Sequence, residues 1–245
     1  MADNDHTYNI IRFDSLDSTN RYTVDNADTL ADRDIVAAEI QTAGKGRFDR
    51  VWVSDIPDNI SMSIVLKPKG DPQTLPVANL TQFAAVCICR LLKRYGQTPM
   101  IKWPNDVKVG GKKISGILTR TVFSGMSLKA IAVGIGINVN QTQSLLDSLT
   151  QPATSFNILC GQHIDRDKLM TELLDIFFAD YDAFMTAGFS YIRDEYISQC
   201  SSLHRELTVH TMSGDQSGFA ADIDETGALV LETASGVKHL TEGES

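Results

Sequence analysis

The pattern of apolar residues limits this chain to a fold that combines strands and helices. In one segment four apolar residues alternate with polar ones: Ile60, Met62, Ile64 and Leu66. This two-residue period is typical of a half-buried strand. The period changes between Pro76 and Gly96, where helically spaced apolar residues predict a helix over residues 77–95. The sequence therefore predicts an α+β protein whose first third is mainly sheet.

Other elements follow from short apolar segments bounded by turn and capping residues. Strands are predicted at residues 8–13, 35–40, 100–103, 107–109, 113–118 and 130–139. Helices are predicted at residues 20–30, 166–186 and 189–198, the first of them after capping side chains at 17–20. The pairs Gly110-Gly111 and Ser124-Gly125 predict hairpin turns.

The apolar segments become shorter and more closely spaced after about Arg205. Four short strands separated by glycine-containing turns are predicted there, at residues 207–211, 218–223, 229–232 and 237–240. This pattern indicates a small all-β barrel. We therefore expect a larger domain at residues 1–202 and a small domain at residues 203–245, with the boundary near Ser202.

Composition restricts the class of protein. Of the 245 residues 42% are hydrophobic and 22% are charged, which is the profile of a soluble globular protein. The formal net charge of −9 argues against nonspecific nucleic-acid binding, which requires many Lys and Arg residues. Residues 1–11 do not look like a secretory signal, and no apolar segment is long enough to span a bilayer. We expect a cytoplasmic protein that binds neither membranes nor nucleic acid.

One loop, at residues 41–52, concentrates glycine and positive charge directly after a predicted strand. Gly44 and Gly46 permit a close approach between backbone and ligand, and Lys45, Arg47 and Arg50 supply three cations within six residues. Phosphate is the natural partner of such a loop. Taken alone, the segment is also compatible with a solvated basic loop.

A second segment, Lys-Trp-Pro-Asn-Asp at residues 102–106, ends another predicted strand. Its Lys, Asn and Asp side chains place a cation, an amide and a carboxylate at one loop mouth, where they can address phosphate and metal together. The alternative is an ordinary junction between a strand and a turn.

A third segment, Gly134-Ile135-Gly136, is a weaker signal of nucleotide binding, because it lacks the full dinucleotide-binding fingerprint and the helix that should follow it.

Taken in order, five segments resemble the catalytic domain of biotin-protein ligases: residues 17–20, 44–52, 102–106, 113–118 and 134–140. Residues 222–232 are similar to the small C-terminal barrel of that family, so the resemblance extends from about residue 8 to the end. It implies an α+β domain with a mixed, mainly antiparallel sheet, similar to the catalytic core of class II aminoacyl-tRNA synthetases. An SH3-like barrel would follow that domain.

The resemblance also implies a reaction. Biotin and MgATP would give biotinyl-5'-adenylate and pyrophosphate, and a lysine of a biotin carboxyl carrier domain would then accept the biotinyl group as an amide. The carrier would belong to a biotin-dependent carboxylase. ATP, Mg²⁺ and biotin enter as substrates or activator, and we expect no tightly bound prosthetic group. The sequence assigns no metal ligands.

Roles of single residues follow from the resemblance. It implies that Lys102 and Arg47 are catalytic, with the Lys102 ammonium between the biotin carboxylate and the α-phosphate. The implied biotin site consists of Ser18, Thr19, Asn20, Gln41, Gly44, Lys45, Gly46, Arg47, Lys102 and Gly116. The implied nucleotide site consists of Arg47, Arg50, Trp52, Lys102, Asn105 and Asn138, with the Trp52 ring covering the adenine. Asn105 and Asp106 would support either Lys102 or the metal.

Two residues depart from the family pattern. Lys45 stands where arginine is usual and Asp49 stands where glycine is usual. Lys45 keeps the charge without the bidentate fork, and Asp49 forfeits the freedom of glycine, so we expect the loop to close differently here. Relatives that repress transcription carry an N-terminal helix-turn-helix domain, for which the residues before Tyr8 leave no room. We therefore expect no regulation by DNA binding.

Two other functions remain open from the sequence. A lipoate-protein ligase would perform the same adenylation on a longer apolar acid, although the segments at 44–47 and 102–106 favour biotin. A noncatalytic sensor of biotin or nucleotide would act only by binding partners, and it would be expected to lack catalytic residues such as Lys102 and Arg47.

Overall fold

Two sheets and six helices form the fold of the computed structural model, which describes residues 8–54 and 56–244. Strands β1–β7 are Asn9–Leu16, Asp34–Gln41, Asn59–Leu66, Pro99–Lys102, Asp106–Val109, Lys112–Ser124 and Ser127–Asn138. Strands β8–β11 are Arg205–Thr211, Gly214–Ile223, Leu229–Thr233 and Gly236–Leu240. Helices α1–α6 are Thr19–Asp25, Leu80–Arg94, Gln143–Asp147, Phe156–Cys160, Arg166–Ala187 and Arg193–Gln199. Short 3-10 turns occur at Arg47–Asp49, Val77–Asn79 and Gly188–Tyr191.

Strands β1 to β7 form one mixed sheet in the order β1-β2-β3-β7-β6-β5-β4. Only β1 and β2 pair in parallel, and the other neighbours are antiparallel. Tight turns impose much of this arrangement: Gly110 and Gly111 have φ values of 57° and 78° between β5 and β6, and Gly125 has a φ of 60° between β6 and β7. The predicted mixed, mainly antiparallel sheet and both predicted hairpins are confirmed.

Strand β3 is buried on both faces, so the prediction of a half-buried strand is wrong. Its alternate residues Ile60, Met62, Ile64 and Leu66 belong to the main hydrophobic core, which α2 and α5 also line. The opposite face carries small hydroxyl side chains: Ser61 is 2.9 Å from the Ser54 hydroxyl, and Ser63 donates to Thr19 at 3.0 Å. Those serines are polar because they pair with a loop and with α1, and not because they face solvent.

The helices largely follow the predictions. Helix α2 matches the predicted helix at residues 77–95, except that Val77–Asn79 is a 3-10 turn, and α5 matches the prediction at 166–186. Helix α1 begins after Ser18, whose side chain accepts the Arg21 N–H, but it ends at Asp25 and is shorter than predicted. Helices α3 and α4 were not predicted, because five residues are too few to display a helical period.

Strands β8 to β11 form a separate antiparallel sheet in sequential order. No closed barrel forms among the described strands, so the prediction of an SH3-like barrel is not confirmed beyond this sheet. The sheet contacts α2, since the Gln82 amide donates to the Gly227 carbonyl at 2.9 Å. Val209 and Ala220 belong to the same hydrophobic core cluster as α2, and the domain boundary near Ser202 stays a prediction. No helix in the described part of the chain is long and apolar enough to cross a membrane.

Candidate functional site

A cavity of about 800 Å³ lies on the face of the large sheet that packs against α1. Its walls come from α1, the loop at residues 45–53, strands β6 and β7, residues 148–153 and Glu244 near the C-terminal end of the described chain. Segments that are distant in the sequence therefore meet around one space. All five segments that carry the resemblance contribute at least two residues to its wall, and the one at residues 102–106 contributes Asn105 and Asp106.

Glycines form the floor of this cavity beneath the indole ring of Trp52. Gly116 and Gly136 are directly paired in the β6–β7 ladder. A Cβ atom at Gly136 would lie 2.4 Å from Cε2 of Trp52, and a Cβ at Gly116 would lie 3.3 Å from Cζ3. The ring can lie this close to the sheet because both positions lack a side chain. Trp52 is thus held between the basic loop and the sheet.

The α1 end of the cavity is lined by buried amides and hydroxyls. The side-chain Oε1 atom of Gln41 accepts from the Thr19 backbone N–H at 2.8 Å and from the Thr19 hydroxyl at 3.2 Å. The Asn20 amide donates to the Leu118 carbonyl at 2.9 Å, while its Oδ1 has no hydrogen-bond partner among the described residues. Ser18 lines the same end. The structure brings these predicted biotin-site residues together.

Positive charge lines the middle of the cavity. Lys45, Arg47 and Arg50 all reach its wall from the basic loop, as the sequence predicts. Burial lowers the pKa of the Arg47 guanidinium below its usual value, while the nearby carboxylates of Glu244 and Asp106 oppose that shift. The Arg50 guanidinium forms an ion pair with Glu244. This loop therefore contributes positive charge to the cavity wall.

Lys113 brings a further cation that the sequence analysis did not single out. Its ammonium lies 2.7 Å from Oδ1 of Asp106, a residue that is only 5% exposed. The same nitrogen lies 5.8 Å from the centre of the Trp52 ring, and a Cβ at Gly116 would meet it at 3.3 Å. The carboxylate thus fixes a positive charge above the glycine floor. Lys113 stands three residues before Gly116 in a segment quoted for the resemblance, and that spacing was the available signal.

Lys102 is not among the described residues that line the cavity. Its ammonium lies 3.7 Å from Oε1 of Glu244, and Glu244 itself does line it. Lys102 thus reaches the cavity only through that carboxylate in this structure, and its catalytic assignment stays a prediction. Gly44 is also outside the wall, because it packs against the Trp52 backbone: a Cβ there would lie 2.5 Å from the carbonyl oxygen.

Two predicted nucleotide-site residues line the cavity but already use their amide donors. The Asn105 amide donates to the Ile117 carbonyl at 3.0 Å, and the Asn138 amide donates to the Thr154 carbonyl at 3.0 Å. Both side chains therefore also hold the cavity wall in place. No cluster of three or more metal-ligating side chains occurs in residues 8–54 and 56–244, so no metal ligands are assigned.

Two further wall residues could not be identified from the sequence. Glu244 follows the last strand in a segment without a recognisable pattern, and it reaches the cavity because its backbone pairs with His210 of β8. Gln141 lies just after β7, between residues that the resemblance covers and the short unpredicted helix α3. The sequence around these two residues does not indicate that they line the cavity.

The fold is similar to that of solved ligases. The biotin protein ligase from Aquifex aeolicus in complex with biotin and ATP superimposes with a TM-score of 0.80 and 26% sequence identity, covering 96% of this chain and 97% of that one. The biotin acetyl coenzyme A carboxylase synthetase from Helicobacter pylori, with 19% identity and a TM-score of 0.66, shares the fold. The fold and the cavity together define an enzyme of the ligase class.

Sequence comparisons identify the family. The chain belongs to the biotin/lipoate A/B protein ligase family, whose model matches residues 12–138. The bifunctional ligase/repressor BirA of Bacillus subtilis is 36% identical over 234 residues, which are 94% of this chain and 71% of that protein. The biotin–[acetyl-CoA-carboxylase] ligase of Paracoccus denitrificans is 32% identical over 90% of this chain and 92% of its own length. The predicted resemblance to biotin-protein ligases is confirmed.

Proposed function

We propose that this chain joins biotin to ATP as biotinyl-5'-adenylate and then transfers the biotinyl group to a lysine of a biotin carboxyl carrier domain. One observation carries this proposal: a single cavity has an end lined by buried amides and hydroxyls and a middle lined by cations. A small polar acid and a polyphosphate can therefore meet in it. The Paracoccus relative, named for acetyl-CoA carboxylase, and the Aquifex complex with biotin and ATP support the same chemistry.

The α1 end of the cavity fits a cyclic urea. The ureido group of biotin offers one carbonyl acceptor and two N–H donors, which must all be paired once water is excluded. The Asn20 Oδ1 atom, which lacks a partner among the described residues, is an acceptor for one of those N–H groups. Ser18 and Gln41 supply further polar groups beside it. We therefore propose that biotin enters with its ureido ring against α1.

In the first step, a carboxylate oxygen of biotin attacks the α-phosphorus of MgATP. The bond from that phosphorus to the bridging oxygen breaks, and pyrophosphate leaves with the electron pair. Negative charge increases on the phosphate oxygens, so fixed cations facing them stabilise the transition state. Arg47 and Lys113 are held in the cavity wall for this role, and Arg50 adds charge for the outer phosphates. Lys102 is assigned to the same step by the family resemblance.

In the second step, the neutral amine of a carrier lysine attacks the carbonyl carbon of the adenylate. The bond from that carbon to the phosphate oxygen breaks, AMP leaves, and the nitrogen gives up a proton as the amide forms. The adenylate is open to attack by water or any free amine, so it must be shielded until the carrier arrives. We propose that the loop at residues 44–52 acts as the lid, because its cations can bind the phosphate and Gly44 and Gly46 allow it to move.

The finer organisation is proposed on the same basis. The carrier domain belongs to a biotin-dependent carboxylase, and the enzyme works in the cytoplasm. Residues 203–245 form a small unit of the SH3-like kind that the resemblance implies, joined near Ser202 to the catalytic domain. This unit supports the first domain by contributing Glu244 to the cavity wall.

A lipoate-protein ligase is the less favoured alternative. The dithiolane ring of lipoate has no N–H or carbonyl group to pair with the buried polar groups at the α1 end. Asn20 is 6% exposed and its Oδ1 atom has no partner among the described residues, so water would not readily replace the missing donor. Each polar group left unpaired costs about 1–3 kcal/mol, which favours biotin.

Exchange of labelled pyrophosphate into ATP tests the first step. We expect exchange that depends on biotin and that lipoate does not support at the same concentration. Purified protein should also label a carrier domain in the presence of biotin and MgATP. The absence of both activities, under conditions in which a reference ligase labels the same carrier, would exclude the proposed function.

A further inference from the structure

The end of the cavity opposite α1 contains a buried side chain with unused hydrogen-bonding capacity. Gln141 lines the cavity and is only 2% exposed. Its Oε1 atom has no hydrogen-bond partner among the described residues. A buried amide oxygen without a donor is unfavourable unless a ligand or water supplies one. The proposed reaction, as described so far, leaves this group unused.

The backbone that carries Gln141 is held firmly. The Ser155 hydroxyl donates to the Gln141 carbonyl at 2.8 Å. The preceding residue, Asn140, exchanges two hydrogen bonds with the Ile164 backbone, both of 2.9 Å. The amide of Gln141 is therefore presented from a fixed position, as recognition of a small rigid group requires.

Strand β7 gives the distance between the two ends of the cavity. Gly134 contacts the Asn20 side chain at the α1 end, Gly136 lies under Trp52, and Asn138 is the last residue of the strand. A strand rises about 3.3 Å per residue, so Gly134 and Asn138 are separated by about 13 Å. Gln141 follows beyond that point. If biotin lies against α1, as the proposed function requires, the far end of an extended adenylate reaches Gln141.

The far end suits a neutral ring better than a phosphate. The cations of the cavity wall come from the basic loop and from Lys113, whereas the wall segment at residues 148–153 contributes only uncharged residues: Ser148, Leu149, Thr150, Gln151 and Ala153. A carboxamide presents one acceptor and two donors, and rotation by 180° exchanges them without changing its shape. It can therefore pair at once with the exocyclic amino group and an adjacent ring nitrogen of adenine.

We propose that Gln141 determines nucleotide specificity by accepting a hydrogen bond from the 6-amino group of adenine and donating one to a neighbouring ring nitrogen. The inference rests on the proposed function for the direction in which the adenylate lies. Guanine presents a carbonyl oxygen at the position of the amino group, so the amide oxygen would face another acceptor. A purine without the amino group would leave that oxygen unpaired, as it is in the free protein.

The test measures nucleotide binding, which does not require catalysis. Calorimetry without biotin, so that no adenylate can form, compares ATP with purine riboside triphosphate, which lacks only the 6-amino group. We expect the parent protein to bind the analogue about tenfold more weakly, which corresponds to one hydrogen bond of about 1.4 kcal/mol. Gln141→Met keeps the length of the side chain and removes both polar groups, so it should bind the two nucleotides with Kd values within about twofold of each other.

Gln143→Met is the matched control, because Gln143 stands two residues from Gln141 but is exposed and is not among the described residues that line the cavity. It should keep the tenfold preference for ATP. Equal binding of the two nucleotides by the parent protein would overturn the proposal without any variant, even if Gln141→Met did not fold. A preference retained in folded Gln141→Met, or lost in Gln143→Met instead, would also overturn it. Failure of the proposed function is distinguishable, because it appears as absent pyrophosphate exchange.

Discussion

Replacing Lys113 with methionine should slow adenylate formation by about a hundredfold or more. The ammonium is held 2.7 Å from Asp106 and directly above the glycine floor, so it is positioned before any substrate binds. Loss of one preorganised group of this kind costs about 3 kcal/mol in the transition state, which corresponds to about two orders of magnitude in rate. Methionine preserves most of the side-chain volume.

The substitution has a second effect that must be separated from the first. Asp106 is 5% exposed, and replacing Lys113 leaves a buried carboxylate without its ion-pair partner. Breaking such a pair costs about 3–5 kcal/mol of folding stability. The double variant Lys113→Met with Asp106→Asn removes both charges, and it should recover stability in urea unfolding while adenylation remains slow.

The assay is biotin-dependent pyrophosphate exchange, with Lys102→Met measured in parallel. Lys102 reaches the cavity only through Glu244 in this structure, so we expect its loss to reduce the exchange rate less than the loss of Lys113 does. The cavity geometry and the family resemblance thus make different predictions about which lysine contributes more. An unchanged exchange rate in folded Lys113→Met would refute the reasoning from the cavity.

Three further substitutions test other parts of the site. Gly136→Ala places a Cβ 2.4 Å from the Trp52 ring, so ATP should bind about tenfold more weakly by calorimetry; unchanged affinity would show that the position of the Trp52 ring does not matter for nucleotide binding. Arg47→Gly should release biotinyl-adenylate faster and label serum albumin as a bystander, and retention equal to the parent in a rapid-filtration assay would exclude the lid. Glu244→Gln should remove the ion pair that holds Arg50. It should therefore raise the salt sensitivity of ATP binding, which titrations at two ionic strengths would measure.

The main elements of the fold could be predicted because their periods extend over enough residues. Helices α2 and α5 contain 15 and 22 residues and repeat their apolar spacing several times. Helices α3 and α4 contain five residues each and cannot do so. The burial of β3 on both faces was missed for a different reason. Ser61 and Ser63 look solvent-facing in the sequence, but their hydroxyls pair with loop and helix groups that only the tertiary structure brings near.

The cavity was predicted only where its residues form local patterns. Ser18, Gln41 and Arg47 come from segments that are recognisable in the sequence, and all three line the wall. Gln141 and Glu244 come from segments without such patterns, and pairing between distant backbone segments brings Glu244 to the site. The placement of Lys102 outside the wall depends on side-chain direction at the end of β4, which residue spacing does not determine.

Strand β7 has a consequence for how this enzyme tolerates mutation. Gly134, Gly136 and Asn138 face the cavity, whereas Ile131 and Ile137 belong to the hydrophobic core cluster that includes α2 and α5. One face of β7 thus lines the substrate cavity, and the other face packs into the hydrophobic core. Random mutagenesis screened for altered nucleotide use should recover substitutions among the core isoleucines and their helical neighbours. Such variants would retune catalysis from positions that no substrate ever touches.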